Sequence, residues 1–361
     1  MTIRNTVTAL LLALALALST AHADTVTLNP EHPDRHVVVK GDTLWDISAR
    51  FLRDPWRWPD VWEINPQIEN PHLIYPGDII SLTYREGQPV LQLERPSAQT
   101  GADGVDMAGD GDRVKLSPQV RITKLERPIP TVPVEVIEQF LLNAQVISPD
   151  ELAKSGYVLS MEEGRLIGGT GNKIYARGVN DRSTTRYEVF RTGTAYRNPN
   201  AKKDEVLGYE ALKVADGRLE AYGDPATLTL VKSTRETLPG DRVIASPEDQ
   251  TRDFNFVPSA PDKTVQGHIV ALFDAISRAG RYQVVVLNLG HNDGVRPGHV
   301  LAAYHAGETV RDPVKPKADP VTLPDAQEGL LMVFRVFDKV SYALVMEATR
   351  DIRLYDAVRN P

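Results

Sequence analysis

Val39-Lys40-Gly41-Asp42-Thr43-Leu44-Trp45-Asp46-Ile47 joins a β-branched run to the start of a helix. Upstream, His36-Val37-Val38-Val39-Lys40 reads as a short strand. Gly41-Asp42 turns the chain, and Thr43 with Asp46 fits a capping box, Thr43 accepting from the first turn and Asp46 reaching back. Leu44, Ile47 and Phe51 recur at i, i+3 and i+7, on one helical face. Pro59 suits the first turn of a second helix that carries Val61 and Ile64 inward, and Asn65-Pro66 ends it. Tyr75-Pro76-Gly77-Asp78 is a turn signal, and Ile79-Ile80-Ser81-Leu82 a second strand. The order is strand, helix, helix, strand, and all four tryptophans (Trp45, Trp56, Trp58 and Trp62) lie inside it.

This order resembles a LysM domain, a glycan-binding module of bacterial cell-wall proteins. The residues that carry the likeness are Val39–Ile47, Ile64-Asn65-Pro66 and Leu73-Ile74-Tyr75-Pro76-Gly77-Asp78. The resemblance implies that N-acetylglucosamine lies in a shallow groove, with Gly41, Asp42, Thr43 and Leu44 on one wall and Leu73 and Ile74 on the other. An N-acetyl group needs backbone donors and acceptors for its amide and an apolar notch for its methyl, and glycine at position 41 lets backbone come close. The plain packing alternative assigns Leu44, Ile47, Trp45 and Trp62 to the core. Two features depart from the family pattern: His36 stands where an aromatic is usual, and Arg53-Asp54-Pro55-Trp56-Arg57-Trp58-Pro59 is longer and more aromatic than typical. Trp56 and Trp58 either cover sugar rings or brace the second helix.

The whole chain has 361 residues, 41 Lys and Arg against 48 Asp and Glu, a formal charge of −7 and no cysteine. Single cores rarely grow past ~250–300 residues, so more than one domain is expected. The acidic balance argues against a nucleic-acid partner, which would be bound by neutralising phosphates. Without cysteine there are no disulfides, thiolate metal sites, cysteine nucleophiles or lipid-anchored cysteine. Arg4, the apolar run Ala9–Leu18 and Ala21-His22-Ala23 form a secretory signal peptide over 1–23. That run is shorter than the ~20 apolar residues a spanning helix needs. No later stretch is long and apolar enough, so the mature chain is expected to be exported and without a transmembrane segment.

The LysM-like module is placed at 36–84, followed by a flexible linker over 88–117 rich in Gly and Asp, from Gly101 to Asp112. Beyond it come a mixed α/β segment at 118–180 and two β-rich repeats at 181–260 and 265–361. In the first segment, Val134, Ile137 and Leu141 mark a helix. Tyr157–Ser160 and Arg165–Ile167 flank Glu163-Gly164 as a hairpin, and Gly168–Asn172 reads as a turn. The repeats are inferred from echoes about 115 residues apart. Gly193–Pro199 echoes Gly307–Pro313, Leu228–Glu236 echoes Ala343–Asp351, and Gly240–Val243 echoes Tyr355–Val358. The expected fold class is multidomain: a small βααβ LysM domain, then a mainly-β C-terminal region of two related barrel- or sandwich-like subdomains.

A hydrolase delivered by the LysM module is the rival reading. No H-x-H, H-E-x-x-H or G-x-S-x-G occurs, so zinc peptidase and serine hydrolase signatures are missing. His291, His299 and His305 sit among turn residues and read as surface positions, and no metal ligands or cofactors are assigned. A muramidase needs only two carboxylates, which 48 acidic residues can supply, so a muramidase-type hydrolase stands as the alternative. The full arrangement resembles the type IV pilus secretin-associated protein family. The residues that carry this likeness, besides the LysM segments, are Asn288–Leu301 and Gly329–Met346. That resemblance implies a non-catalytic periplasmic protein that anchors the outer-membrane secretin ring to peptidoglycan.

Overall fold

In the computed structural model, the opening stretch forms the start of a small sheet-and-helix module, and the chain beyond residue 128 is built mainly of antiparallel strands. The structure describes residues 26–62, 73–95, 128–142, 144–181, 183–201, 204–246, 256–273, 277–311, 313–314 and 319–361. The expected signal peptide, Ile64-Asn65-Pro66 and the linker beyond residue 95 lie outside the described residues. Contacts divide the chain into two units, one holding 1–40 and 45–127, the other 41–44 and 128–361.

The N-terminal module contains β1 (Arg35–Val37), α1 (Leu44–Phe51), a 3-10 turn at Pro55–Arg57, α2 (Trp58–Val61), β2 (Ile79–Arg85) and β3 (Gln88–Glu94). The three strands form an antiparallel sheet in the order β1-β2-β3. Trp45, Ile47, Phe51, Trp58, Val61, Ile74, Ile80 and Leu91 are buried as its core. The β3 strand corrects the expected linker start at residue 88. Glu86 and Gly87, with φ of 51° and 80°, make a two-residue hairpin turn whose twist matches its flanking strands. Val90, Leu91 and Leu93 then continue the sheet, with Leu91 opposite Leu82.

The larger unit opens with α3 (Val134–Leu142), β4 (Ala144–Ile147) and α4 (Pro149–Lys154). Ser148 caps α4 through a reciprocal capping box with Glu151, and Pro149 takes the first turn. Six strands follow: β5 (Gly156–Met161), β6 (Lys173–Arg177), β7 (Arg186–Arg197), β8 (Val206–Ala221), β9 (Ala226–Ser233) and β10 (Arg242–Ala245). They pair around a ring β5-β6-β9-β8-β7-β10, and β10 pairs back to β5. β4 adds to the outside of β8. The first repeat therefore begins at β5, not at residue 181. The predicted hairpin within 157–167 is also corrected: β5 pairs with β6, and Leu166 is 85% exposed in the connection. Gly168–Asn172 is a turn in that same connection, closed by Gly169 N–H donating to Asn172 Oδ1 at 2.9 Å.

The second barrel comprises β11 (Gln266–Leu272), β13 (Val284–Leu287), β14 (Val300–His305), β17 (Ala326–Val336), β18 (Ser341–Ala348) and β20 (Ala357–Arg359). Short strands β12 (Arg278–Ala279) and β19 (Ile352–Arg353) pair with each other, as do β15 (Thr309–Val310) and β16 (Val321–Thr322). The closed order is β11-β13-β18-β17-β14-β20. Taking each repeat's strands in chain order, both rings run first, second, fifth, fourth, third, sixth. Shared ring order supports the duplication inferred from the echoes.

The likeness extends to single residues. A bulge on β8 places Val214 between Lys213, opposite Phe190, and Ala215, opposite Val189. A bulge on β17 places Glu328 between Gln327, opposite Tyr304, and Gly329, opposite Ala303. Both bulge carbonyls accept from the next strand's end, Val214 from Thr234 N–H at 2.8 Å and Glu328 from Thr349 N–H at 2.7 Å. Asp241 and Asp356 likewise occupy matching turns, each accepting from the amide three residues before it, at 2.8 Å from Leu238 and 2.6 Å from Arg353.

Inside each ring the strands present alternate residues to a core, including Leu228, Leu230, Val189 and Val243 in one and Leu331, Val333, Ala343 and Val345 in the other. β17 and β18 are buried on their outer faces too, through Phe334, Tyr342, Leu344 and Met346. Tyr342 packs edge-on to Tyr196, Phe273 and Phe337, joining the second barrel to the first. Burial pushes both the Tyr196 and the Tyr342 phenol above the usual tyrosine range. Arg335 donates to the carbonyls of Phe140 and Leu141 at 2.7 and 3.0 Å, satisfying the C-terminal end of α3.

Candidate glycan-binding site

The Tyr75–Asp78 loop is the better defined part of the candidate site. Asp78 N–H donates to Tyr75 C=O at 3.0 Å, and Tyr75 N–H donates to the Asp78 carboxylate at 3.0 Å. Pro76 and Gly77, with φ of 96° at the glycine, supply the backbone a type II turn requires. This turn is tied to the end of β1, since Val38 N–H donates to Asp78 C=O and Gly77 N–H to Val38 C=O, both at 2.8 Å.

Arg95 closes the loop from its other side. Its guanidinium donates to Leu73 C=O at 2.7 Å, lies 3.6 Å from the Asp78 carboxylate, and sits 5.8 Å from the Tyr75 ring centroid. Arg95 falls outside the sequence reading because the expected module ends at residue 84. The alternation in Val90-Leu91-Gln92-Leu93 was the available signal that pairing continues to that point.

The six expected contact residues differ in what they present. Leu73 is 38% exposed, and Ile74 is wholly buried, so its side chain serves the core. Gly41 is exposed with φ of 100°, and Asp42 is half-buried. Thr43 and Leu44 are buried, and Leu44 N–H donates to Pro130 C=O at 3.1 Å. Gly41–Leu44 and Leu73–Ile74 fall in different units. Leu73, Asp42 and the Gly41 backbone are therefore the parts of the set that meet solvent.

The tryptophan question divides. Trp58 is 3% exposed and meets Trp62 edge-on, with ring centroids 5.9 Å apart, so it braces α2. Trp56 is half-buried under the Arg57 guanidinium, which lies 5.9 Å from its ring centroid.

The expectation that His291, His299 and His305 are surface positions holds for His291 only. His299 is 4% exposed, and its Nδ1 accepts from Arg296 N–H at 3.2 Å across the Pro297-Gly298 turn. It stands where aspartate stands in the Tyr75 and Leu238 turns, and burial holds its imidazole below the ordinary value. His305 is partly buried against Asp356, with Nδ1 and Oδ1 2.7 Å apart. Turn residues nearby suggested exposure, but the residue that closes such a turn folds inward.

Residues 36–83 match the family model of the LysM domain. A curated relative, the uncharacterized protein YqbP of Bacillus subtilis (strain 168), is 33% identical over 60 residues. The match covers 14% of this chain and 27% of the relative. The chain thus has an N-terminal LysM domain followed by a mainly-β region containing a six-strand barrel. Among the described residues no helix is long and apolar enough to cross a membrane.

Proposed function

We propose that the chain is a non-catalytic periplasmic protein whose LysM domain binds N-acetylglucosamine-containing peptidoglycan and whose C-terminal barrels hold an envelope partner. The observation that carries the first half is the family match over residues 36–83, since LysM is a binding module. The Arg95-braced loop that presents Leu73 fits a neutral sugar, which needs an apolar notch more than charge. An outer-membrane secretin ring of type IV pili is the partner assigned, supported by the sequence resemblance at Asn288–Leu301 and Gly329–Met346. One glycan groove grips weakly, and many copies around a ring would raise the hold through effective concentration.

The partner assignment is tested by isolating the full chain from detergent-solubilised envelopes of a piliated cell. Co-isolation of the secretin, reduced when the chain is absent, supports anchoring. Recovery of the chain without secretin from envelopes that contain both would contradict it.

A further inference from the structure

Asp241 in the first barrel is fully matched. Its side chain is 4% exposed, and Arg191 from β7 reaches it with hydrogen bonds of 2.8 and 2.9 Å. The bulge residue on the neighbouring strand β8 is Val214, which is apolar and buried in the core. The same three positions in the second barrel hold Asp356, His305 and Glu328, as the matched strand registers show. Arginine has become histidine, and valine has become glutamate.

This paired change alters the charge balance. The first barrel sets one carboxylate against one guanidinium. The second buries two carboxylates, with Asp356 4% and Glu328 2% exposed, against an imidazole. Glu328 Oε2 is buried and has no hydrogen-bond partner. A buried, unpaired carboxylate oxygen is costly, and a bulge is a device that re-aims a side chain. The Glu328 carboxylate lies close to the other two groups: a ligand atom from each of His305, Glu328 and Asp356 lies within 4.8 Å of the others.

We propose that His305, Glu328 and Asp356 form a site for a divalent transition metal, Zn²⁺ by ligand type, in the second barrel. One imidazole nitrogen and two carboxylate oxygens suit Zn²⁺, at bond lengths of about 2.0–2.2 Å, and leave a fourth position for water. The ion supplies the positive charge that Arg191 supplies in the first barrel. His305 Nδ1 and Asp356 Oδ1, now 2.7 Å apart, open slightly to admit it. His305 Nε2 faces the Arg353 guanidinium at 3.3 Å, and arginine only donates, so the imidazole proton sits on Nδ1 without metal. On binding, that proton moves to Nε2, and Arg353, which is exposed, turns to solvent. The partly open His305 side chain gives the ion its way in. The site locks β14, the β17 bulge and the turn before β20 together, and it is independent of the glycan reading.

The test uses the full chain, free of tags and stripped with chelator, titrated with Zn²⁺ by calorimetry and with Co²⁺ by visible absorption. The expected result is a saturable Zn²⁺ equivalent and a Co²⁺ spectrum that Glu328→Gln weakens at least ~10-fold. The double variant His305→Arg, Glu328→Val installs the first barrel's residues, so it should fold, lose that equivalent and no longer gain melting temperature with Zn²⁺. No stoichiometric uptake by the unaltered chain would overturn the proposal, as would unchanged uptake by the folded double variant.

Discussion

Arg191 lies across the Asp241 carboxylate with two hydrogen bonds, which fixes the turn at Pro239-Gly240 to the middle of β7. The carboxylate makes Arg191 hold its proton more tightly than usual. The pair closes the first barrel at the junction of β7 and β10. Arg191→Ala leaves a buried carboxylate with fewer donors and should cost about 2 kcal/mol. Urea unfolding should show this as a lower midpoint at unchanged slope.

Tyr342 gives a second test of packing. Its ring is fully buried among Tyr196, Phe273 and Phe337, while its hydroxyl contacts are long, at 3.4 Å. Tyr342→Ala should therefore destabilise by about 3–5 kcal/mol. Tyr342→Phe should cost under about 1 kcal/mol, since little is lost with the hydroxyl. Thermal unfolding of both variants separates ring from hydroxyl.

Acid sensitivity follows from His299. Burial lowers its folded-state value below the ordinary 6.5, so the unfolded chain takes up the proton first. Stability from this group is complete above pH 6.5 and is lost as pH falls through the depressed folded value. His268 is shifted in the same direction, mainly by burial. His299→Asn keeps an acceptor for Arg296 N–H but does not titrate. Its stability should fall less steeply than that of the unaltered chain between pH 7 and 5, measured by chemical unfolding at each pH.

Arg95 should matter for the glycan without being expected to touch it. It clamps Leu73 C=O and the Asp78 carboxylate, so Arg95→Ala frees the loop that presents Leu73. Chitooligosaccharide affinity should drop several-fold, measured by calorimetry, while barrel stability is unchanged. Leu73→Ala removes the exposed apolar group itself and should weaken binding by a similar factor.

The sequence pattern carried the main architecture because its strongest signals are local. Gly41 and Gly77 mark positive-φ turns, and Leu44, Ile47 and Phe51 mark a helix face. The duplication was legible because turn and strand residues repeat together, as at Gly240–Val243 and Tyr355–Val358. Long-range closure was not legible. β5 and β6 belong to the first barrel through pairing with β10 and β9, which are distant in sequence. The Glu86-Gly87 turn signals the β2–β3 hairpin weakly, because it lacks the usual asparagine or aspartate before its glycine. The approach of Glu328 to His305 is not legible in the sequence because a bulge and a turn, not spacing, bring them together.

The most direct measurement is co-sedimentation of the full chain with purified sacculi, with and without excess N-acetylglucosamine oligomer, followed for released muropeptides. The account predicts saturable pelleting that the oligomer competes away, pelleting reduced in Leu73→Ala, and sacculi left intact. A folded chain that stays in the supernatant, or one that releases soluble muropeptides, would contradict it.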